Sequence, residues 1–295
     1  MKKILLTGIN GQVGQELKHT LNPLGEVIGV NRQTLDLTKP EKIRQFIQEI
    51  KPNIIVNAAA YTAVDKAETE SEIAFAVNEM APTIMAEEAT KLKAFLLHIS
   101  TDYVFDGNKN TPYTEEDPTN PVSVYGNSKL AGEIGIKTHG DRYAILRTAW
   151  VYGTYGTGNF VKTMLRLGQQ RETIGVVSDQ VGTPTWAKDI ADAIAQMLKQ
   201  PNFQKTADIY HFTNSGVASW YDFALTIFEE AQKIGFSLKI DQVNPITTAE
   251  YPTPAKRPNY SVLSNQKIVN LLGYNSPYWR YSLRKMLTQL YQKLP

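Results

Sequence analysis

The sequence lacks cysteine altogether, which excludes disulfide bonds and thiolate chemistry. It also lacks an excess of charge of either sign. There are 31 Lys and Arg against 29 Asp and Glu, and no stretch concentrates the basic residues, so nucleic acid is not expected as a partner. No window approaches the roughly 20 apolar residues of a membrane helix, and the apolar run at 4–6 is too short for a signal peptide. We expect a cytoplasmic globular protein that binds no membrane.

Histidine is scarce as well. The four histidines, His19, His98, His139 and His211, are scattered along the chain without the spacing of metal ligands. We predict no metal site, and we expect these side chains to be surface residues or core residues whose hydrogen bonds are satisfied.

Short apolar runs alternate with longer segments of helical periodicity through the first half of the chain. The runs predict buried strands at 3–6, 26–30, 53–59, 95–100 and 143–152. Between them, helices are predicted at 12–21, 39–50, 71–92 and 127–138. Because each strand is a continuous apolar run, the sheet should be covered on both faces. The pattern predicts an α/β fold, a Rossmann-like doubly wound parallel sheet.

The regular alternation of strand and helix patterns ends after Trp150. Helices are predicted at 159–171 and 220–235, a strand at 207–214, and an amphipathic helix that places Leu283, Met286, Leu287, Leu290 and Leu294 on one face. The proline-interrupted segment 244–263 cannot be one regular element. We predict a dinucleotide-binding domain at 1–148, to which roughly 176–213 returns, and a smaller, mainly C-terminal α/β substrate lobe at 149–295.

A glycine turn, TGINGQVG at 7–14, directly follows the first strand and opens the first helix. A pyrophosphate needs close approach to backbone N–H groups at a helix N-terminus, and residues without Cβ permit it. Any strand-to-helix turn can use glycine, but three glycines spaced three apart favour dinucleotide binding. We expect cofactor contacts from Gly8, Asn10, Gly11, Gln12, Val13 and Gly14.

The end of the second strand bears on which dinucleotide binds. It reads Val30-Asn31-Arg32, without the acid that would bind the ribose hydroxyl of NAD. Arg32 favours NADPH, with NADH possibly also used, although a solvated loop arginine is the alternative interpretation. Asp36 could contact the adenine. The remaining residues that we expect to bind the cofactor are Leu37, Ala58, Ala59, Ala60, Tyr125 and Lys129.

Tyr125 and Lys129 stand four residues apart in SVYGNSKLAGE (123–133), a spacing that places both on one helix face. They could be an ordinary surface pair, or an acid whose pKa the neighbouring ammonium lowers. Ser100 and Thr101 end the fourth predicted strand, at the sheet edge where ligands of α/β proteins bind.

The ordered set TGINGQVG (7–14), NAAAYTAVDKAE (57–68), STDYVFDG (100–107), YGNSK (125–129), LRTAWVYG (146–153) and DQVGTPT (179–185) resembles the short-chain dehydrogenase/reductase superfamily. The branch that it resembles is the extended one, which acts on nucleotide sugars, and RPNYSVL (257–263) continues the match more loosely. The resemblance implies reduction of a sugar C4 carbonyl. Tyr125 would be the general acid, Lys129 would tune it and hold the nicotinamide ribose, and Thr101 would hold the carbonyl oxygen.

The same resemblance implies which residues bind the substrate. A core position for Trp150 and a surface position for Arg257 remain the alternatives. The expected contacts are Val64, Thr101, Tyr103, Tyr125, Trp150, Asn159 and Arg257.

Other members of the superfamily supply the rival functions. Dehydratases of this branch place a glutamate after the Asp, where this chain has Tyr103, so reduction without elimination fits better. C4-epimerases share the Thr, Tyr and Lys set. The regulatory β subunit of methionine adenosyltransferase is similar too, and it would make the chain a non-catalytic, NADP-binding partner protein.

The expected oligomeric state rests on the positions at which some family members have magnesium ligands. Some family members dimerise through a magnesium ion held by glutamates. Glu16 matches one such position, but Lys188 and Gln289 occupy the other two, and a protonated lysine cannot bind a hard cation. We expect a monomer, without a metal-bridged dimer.

Overall fold

The computed structural model describes residues 1–293, so Leu294 and Pro295 lie outside the described residues. Six parallel strands form the main sheet, in the spatial order β10-β5-β4-β3-β1-β2. They are β1 (Lys3–Thr7), β2 (Glu26–Val30), β3 (Ile54–Asn57), β4 (Phe95–Thr101), β5 (Tyr143–Thr148) and β10 (Ala207–His211). The predicted fold class, a doubly wound parallel sheet, is confirmed.

Helices cover both faces of this sheet. On one face α1 packs against α8, and on the other α5 packs against α2 and α6. Side chains of successive strand residues alternate between two cores, so that Ile4 and Leu6 enter the first while Leu5 enters the second. The helices of the first two-thirds of the chain are α1 (Gln12–Leu21), α2 (Pro40–Ile50), α3 (Val64–Ala67), α4 (Ser71–Phe75), α5 (Ala81–Leu92), α6 (Val124–His139), α7 (Phe160–Gln170) and α8 (Ala187–Lys199).

A third large core lies in the second half of the chain, around Phe223, Trp279 and Leu283. Helix α7 together with α9 (Trp220–Ile234) and α11 (Trp279–Tyr291) supplies most of its buried residues. Helix α10 (Gln266–Leu272) packs instead on α8 and β10 and buries Ile268 in the first core. Three two-stranded sheets pair β6 (Val151–Tyr152) with β9 (Thr185–Trp186), β7 (Thr173–Val177) with β12 (Gln242–Ile246), and β8 (Val181–Gly182) with β11 (Ala218–Ser219). The domain boundary at residue 148 stays a prediction. No helix within residues 1–293 has the length and apolarity to cross a membrane.

The predicted strand at 143–152 is broken in the structure. β5 ends at Thr148 and β6 begins at Val151, because Trp150 adopts a left-handed conformation with φ +47°. A non-glycine residue there costs of order 1–3 kcal/mol, and such residues concentrate at functional sites. The break turns the chain out of the main sheet and points it toward the second core.

The predicted helix at 71–92 contains a π-helical turn at Ala76–Met80, between α4 and α5. Asn78 in this turn is buried, and its side chain holds the backbone N–H and carbonyl of Tyr61 as well as the Ser128 hydroxyl on α6. Helix α6 lies against the turn so closely that a Cβ on Gly132 would be 2.0 Å from the Asn78 carbonyl oxygen. α6 begins at Val124, earlier than the predicted residue 127, because the Ser123 hydroxyl accepts a hydrogen bond from the Gly126 N–H.

We predict that Gly132→Ala lowers the free energy of unfolding by about 3 kcal/mol, because the added methyl forces α6 away from the π-helical turn. Urea denaturation followed by circular dichroism measures the loss. Gly158→Ala is the matched control, since its added methyl meets no atom within 4 Å. A loss no larger than that of the control would contradict the tight packing of α6.

Candidate active site

A cavity of about 800 Å³ opens along the carboxyl ends of β1, β3, β4 and β5. β2 and β3 flank β1, so the chain winds in opposite directions from this point of the sheet. Such a switch point leaves a crevice between the loops that follow the strands, and ligands of open α/β sheets bind there. Trp150, Gly156 and Trp220, which follow β5 in the chain, also line the cavity.

The glycine turn forms the floor of the cavity. Gly8 has φ +70°, and a Cβ on it would lie 2.8 Å from the backbone of Ala58 and Ala59, so only glycine lets β1 pass so close to the end of β3. Gly11 caps α1 without any side-chain hydrogen bond. The first-turn N–H groups of α1 thus face the cavity without an internal partner, as an anion requires.

The structure brings almost all of the predicted cofactor residues into the lining of this cavity. Gly14 is the exception: it packs beneath the turn, where a Cβ would be 2.0 Å from the Gly8 carbonyl oxygen. Asp36 accepts hydrogen bonds from the backbone and hydroxyl of Thr38, which lower the pKa of its carboxyl group. The lining residues are Gly8, Asn10, Gly11, Gln12, Val13, Arg32, Asp36, Leu37, Ala58, Ala59, Ala60, Tyr125 and Lys129.

Thr101 and Asp102 stand where β4 ends. The Thr101 hydroxyl donates to Asp102 Oδ1 at 3.0 Å and accepts from the Tyr103 N–H at 3.2 Å. Burial raises the pKa of Asp102 to about 6, and the hydroxyls of Ser261 and Thr101 only partly oppose the rise. A carboxyl group that is expensive to ionise therefore adjoins the predicted oxyanion contact.

Tyr125 lines the cavity edge-on to Tyr103, with ring centroids 5.4 Å apart. The sequence interpretation expected Lys129 to lower its pKa. The structure shows the opposite direction: burial raises the pKa of Tyr125 to about 12, and the Thr101 hydroxyl offsets part of that rise. Desolvation of the phenolate is the dominant cause, while Lys129 Nζ is bound to the Ile99 carbonyl oxygen and lies beside His98.

Lys129 is buried, and its Nζ lies 2.8 Å from the Ile99 carbonyl oxygen and 3.0 Å from His98 Nε2. Burial lowers the pKa of Lys129 to about 8, although Glu133 acts in the opposite direction. Lys129 is thus held between the sheet and α6, where burial disfavours its charged form.

Five of the seven predicted substrate residues line the cavity: Val64, Thr101, Tyr103, Tyr125 and Trp150. The Trp150 indole stacks on that of Trp220, with ring centroids 3.5 Å apart and an interplanar angle of 3°. A Cβ on Gly182 would lie 2.5 Å from the same indole, so this glycine makes room for the stack.

Asn159 and Arg257 do not line the cavity. The Asn159 side chain caps α7 through its Oδ1 and donates from its Nδ2 to Gln12 Oε1 at 2.7 Å, which links the start of α7 to the glycine turn. The Arg257 guanidinium forms a bidentate ion pair with the Asp65 carboxylate, with N···O distances of 3.0 and 2.8 Å, and its side chain is about one-fifth exposed. Both roles in substrate binding therefore stay predictions.

Glu16, Lys188 and Gln289 stand where some family members bind the magnesium ion that bridges their dimer, and each has polar surroundings in this structure. Burial raises the pKa of Glu16, Lys188 pairs with Asp192 at 2.9 Å, and Thr154 donates to Gln289. Within residues 1–293 no group of three or more His, Asp or Glu side chains is arranged to hold a metal ion.

Sequence reasoning missed Trp220, Asp102 and His98. Trp220 had no local signal, since it reads as the first residue of an amphipathic helix. Asp102 was considered only as part of a motif. His98 did carry a signal, because a histidine inside the apolar strand FLLHIS must find partners when it is buried.

The fold and the site together define the class: this is a dinucleotide-binding protein of the short-chain dehydrogenase/reductase superfamily. The family described as "RmlD substrate binding domain" matches residues 1–292. dTDP-4-dehydrorhamnose reductase of Escherichia coli K12 is 42% identical over 293 residues, which cover 98% of each chain. The chain belongs to the family of the dTDP-4-dehydrorhamnose reductases, which are oxidoreductases, and the predicted resemblance is confirmed.

Solved structures agree with this assignment. A dTDP-4-dehydrorhamnose reductase from Clostridium acetobutylicum superposes with a TM-score of 0.90 at 41% identity, covering 98% of this chain and 99% of that one. The same enzyme from Bacillus anthracis, in complex with NADP, gives a TM-score of 0.90 at 38% identity over 98% and 100%.

Asp102→Asn should stabilise the protein at pH 7.5 by about 2–3 kcal/mol, since a pKa raised by roughly two units corresponds to about 3 kcal/mol. The raised pKa means that ionisation of Asp102 costs folding free energy as the pH rises through about 4 to 6, and asparagine avoids that cost. Urea denaturation at pH 4 and pH 7.5 measures it, and the advantage should shrink at pH 4.

Asp106→Asn is the control, because hydrogen bonds, first that from the Asn108 N–H, lower the pKa of Asp106. It should destabilise at pH 7.5. An Asp102→Asn variant that is no more stable than the wild type at pH 7.5 would contradict the raised pKa.

Proposed function

We propose that this chain reduces the C4 keto group of dTDP-4-dehydro-L-rhamnose to give dTDP-L-rhamnose, with NADPH as the reductant and NADH possibly also used. This is the final step of dTDP-rhamnose biosynthesis, and the cytoplasm is the proposed compartment. The observation that carries the proposal is that Thr101, Tyr125 and Lys129 line one cavity with the glycine turn. Membership of the reductase family supports it.

The residues of the glycine turn fit a dinucleotide. Gly8 and Gly11 leave the floor free of Cβ atoms, and the uncapped N-terminus of α1 offers N–H groups to a pyrophosphate. Arg32, on the cavity wall after β2, would pair with the ribose 2′-phosphate of NADPH. When bound, the cofactor supplies the hydride.

Tyr125 would hold the proton that the C4 oxygen needs. With its pKa raised to about 12, the phenol is fully protonated at neutral pH, so its proton is available to the substrate. Thr101 would place its hydroxyl at the same oxygen, where charge develops. For that, the hydroxyl must turn from Asp102 Oδ1 toward the substrate.

Lys129 would hold the nicotinamide ribose and, as an ammonium ion, favour departure of the Tyr125 proton. Its position four residues after Tyr125, one helical turn along α6, lets both groups reach the same cavity. Val64, Tyr103 and Trp150 would contact the sugar and the base, and Trp220 supports Trp150 from behind.

Asn159 and Arg257 are proposed for the diphosphate. Arginine suits a phosphate through paired donors, but Arg257 would have to exchange Asp65 for the substrate. Tyr103, where dehydratases of this branch have glutamate, supports reduction without loss of water. We also propose that the protein is a monomer, because Lys188, at a position where a magnesium-bridged dimer needs a metal ligand, forms an ion pair with Asp192.

The assay mixes the protein and NADPH with dTDP-4-dehydro-L-rhamnose and follows the absorbance of the reduced nicotinamide. We expect rapid loss of that absorbance, with dTDP-L-rhamnose as the product. A flat trace with both NADPH and NADH, from protein that binds the cofactor, would contradict the proposal and favour a non-catalytic role.

Tyr125→Phe should retain NADPH binding and lose turnover by at least about 10²–10⁴-fold, because the phenol proton is the acid. Stopped-flow absorbance measures turnover, and fluorescence titration measures cofactor binding. Tyr143→Phe is the matched control: Tyr143 is equally buried, at 8% exposure, but lies outside the cavity. Turnover in Tyr125→Phe comparable with that of Tyr143→Phe would exclude Tyr125 as the acid.

Arg32→Ser should weaken NADPH binding by about 10- to 100-fold, the value of a charged hydrogen bond to phosphate, and leave NADH binding nearly unchanged. Fluorescence titration with each cofactor gives both constants. Arg166→Ser, which removes an exposed arginine away from the cavity, controls for the loss of charge. Equal weakening for NADPH and NADH would contradict the role of Arg32 at the 2′-phosphate.

A further inference from the structure

A row of buried polar residues crosses three strands beneath the cavity and ends at Lys129. The parallel register places Thr7 of β1 beside Asn57 of β3, and Asn57 beside His98 of β4. All three are buried, on the sheet face that α6 covers. Lys129 reaches them from α6, with its Nζ 3.0 Å from His98 Nε2.

The Asn57 amide can adopt only one orientation in this row. Its Oδ1 lies 3.2 Å from the backbone N–H of Ala59, which can only donate, and it also accepts from the Thr7 hydroxyl at 2.6 Å. The Oδ1 atom is therefore an acceptor, so the Nδ2 atom must be the donor that faces His98 Nδ1 at 2.9 Å.

His98 Nδ1 consequently accepts a hydrogen bond and carries no proton. His98 is completely buried, and desolvation together with the Lys129 charge lowers its pKa well below the usual value, so the ring is neutral. A neutral imidazole has one N–H group, which must then be at Nε2. That N–H points at Lys129 Nζ.

An N–H donor opposite Lys129 Nζ suits an amine and not an ammonium group, which has no lone pair to accept it. We propose that His98 is a positioning residue whose Nε2–H donates to the neutral amine form of Lys129, stabilises that form relative to the ammonium ion, and thereby lowers the pH at which Lys129 loses its charge. The amine in turn donates to the Ile99 carbonyl oxygen at 2.8 Å.

Two features oppose the ammonium form of Lys129: its burial, and the Nε2–H donor of His98 that faces its Nζ. Glu133, one turn along α6, favours the ammonium form, but Glu133 already forms a buried ion pair with Arg147 of β5 at 2.6 Å. Tyr125 on α6 is protonated, and Asp102, beyond the end of β4, acts on Tyr125. Glu133 is the charged group that acts on the pKa of Lys129 beside the effect of burial.

For the reaction, an inference that rests on the proposed function, His98 would set the upper pH limit of activity. Lys129 assists proton release from Tyr125 only while it is charged. A residue that favours the neutral amine therefore brings the alkaline loss of activity closer to neutral pH. Without the His98 donor, the ammonium form should persist to higher pH.

The first experiment observes the tautomer directly and needs no activity. Protein labelled with ¹⁵N-histidine is recorded by long-range ¹H–¹⁵N correlation between pH 6 and 9, and His98→Gln assigns the signals of His98. We expect a protonated Nε2 and an unprotonated Nδ1 throughout, and a displaced Nε2 signal in Lys129→Met. A proton on Nδ1, or on both nitrogens, overturns the proposal.

The second experiment compares pH profiles of kcat/KM for the wild type and His98→Gln. The glutamine carbonyl can accept from the Lys129 ammonium, so the alkaline limb should move up by about one pH unit or more. His211→Gln is the matched control, since His211 is an equally buried imidazole beside a cation, 3.4 Å from Arg147, outside the cavity. It should leave the limb in place.

The two experiments separate this inference from the proposed function. A wild-type protein that turns over no sugar defeats the proposed function, while the histidine spectra still decide the tautomer. An active wild type whose alkaline limb is the same in His98→Gln and His211→Gln overturns the role of His98 alone.

Discussion

Parallel pairing of β1 with β3, and of β3 with β4, is the constraint on which the rest of the molecule depends. It brings the carboxyl ends of three strands to one edge, so the glycine turn, the Ala58–Ala60 segment and Thr101 share a cavity although they lie far apart in sequence. Close approach of β1 to β3 requires glycine at position 8. The same register lines up Thr7, Asn57 and His98 beneath that cavity.

Helix α6 completes the site because it is held on both sides. Asn78 in the π-helical turn bonds Ser128, and Gly132 allows the helix to pass close to that turn. Below, the buried ion pair of Glu133 with Arg147 ties the helix to β5. A buried ion pair adds little net stability, but breaking it is costly, so it fixes the position of α6 and of Tyr125 and Lys129 on it.

Burial is the common physical cause behind the chemistry of the site. It raises the pKa values of Asp102 and Tyr125 and lowers those of Lys129 and His98, which in each case favours the neutral form. Burial thus disfavours the charged forms of several ionisable groups that line or adjoin one cavity. Groups in this condition are costly for stability and are typical of active sites.

The sequence by itself determined the order of strands and helices, the parallel sheet and the glycine turn, because apolar periodicity and glycine spacing are local properties. It also marked Thr101, Tyr125 and Lys129 through their motif. Local pattern could not show the break at Trp150, since a strand of continuous apolar residues has no signal for a left-handed turn. It equally concealed the π-helical turn, whose residues have ordinary helical character.

Tertiary structure alone decided which charges meet. Arg257 pairs with Asp65, 192 residues away, and Trp220, at the start of α9, stacks on Trp150. The sequence placed Lys129 beside Tyr125 and suggested a lowered pKa for the phenol. The direction reversed because the pKa of Tyr125 depends first on its burial, which is set by strands and helices that pack from distant parts of the chain.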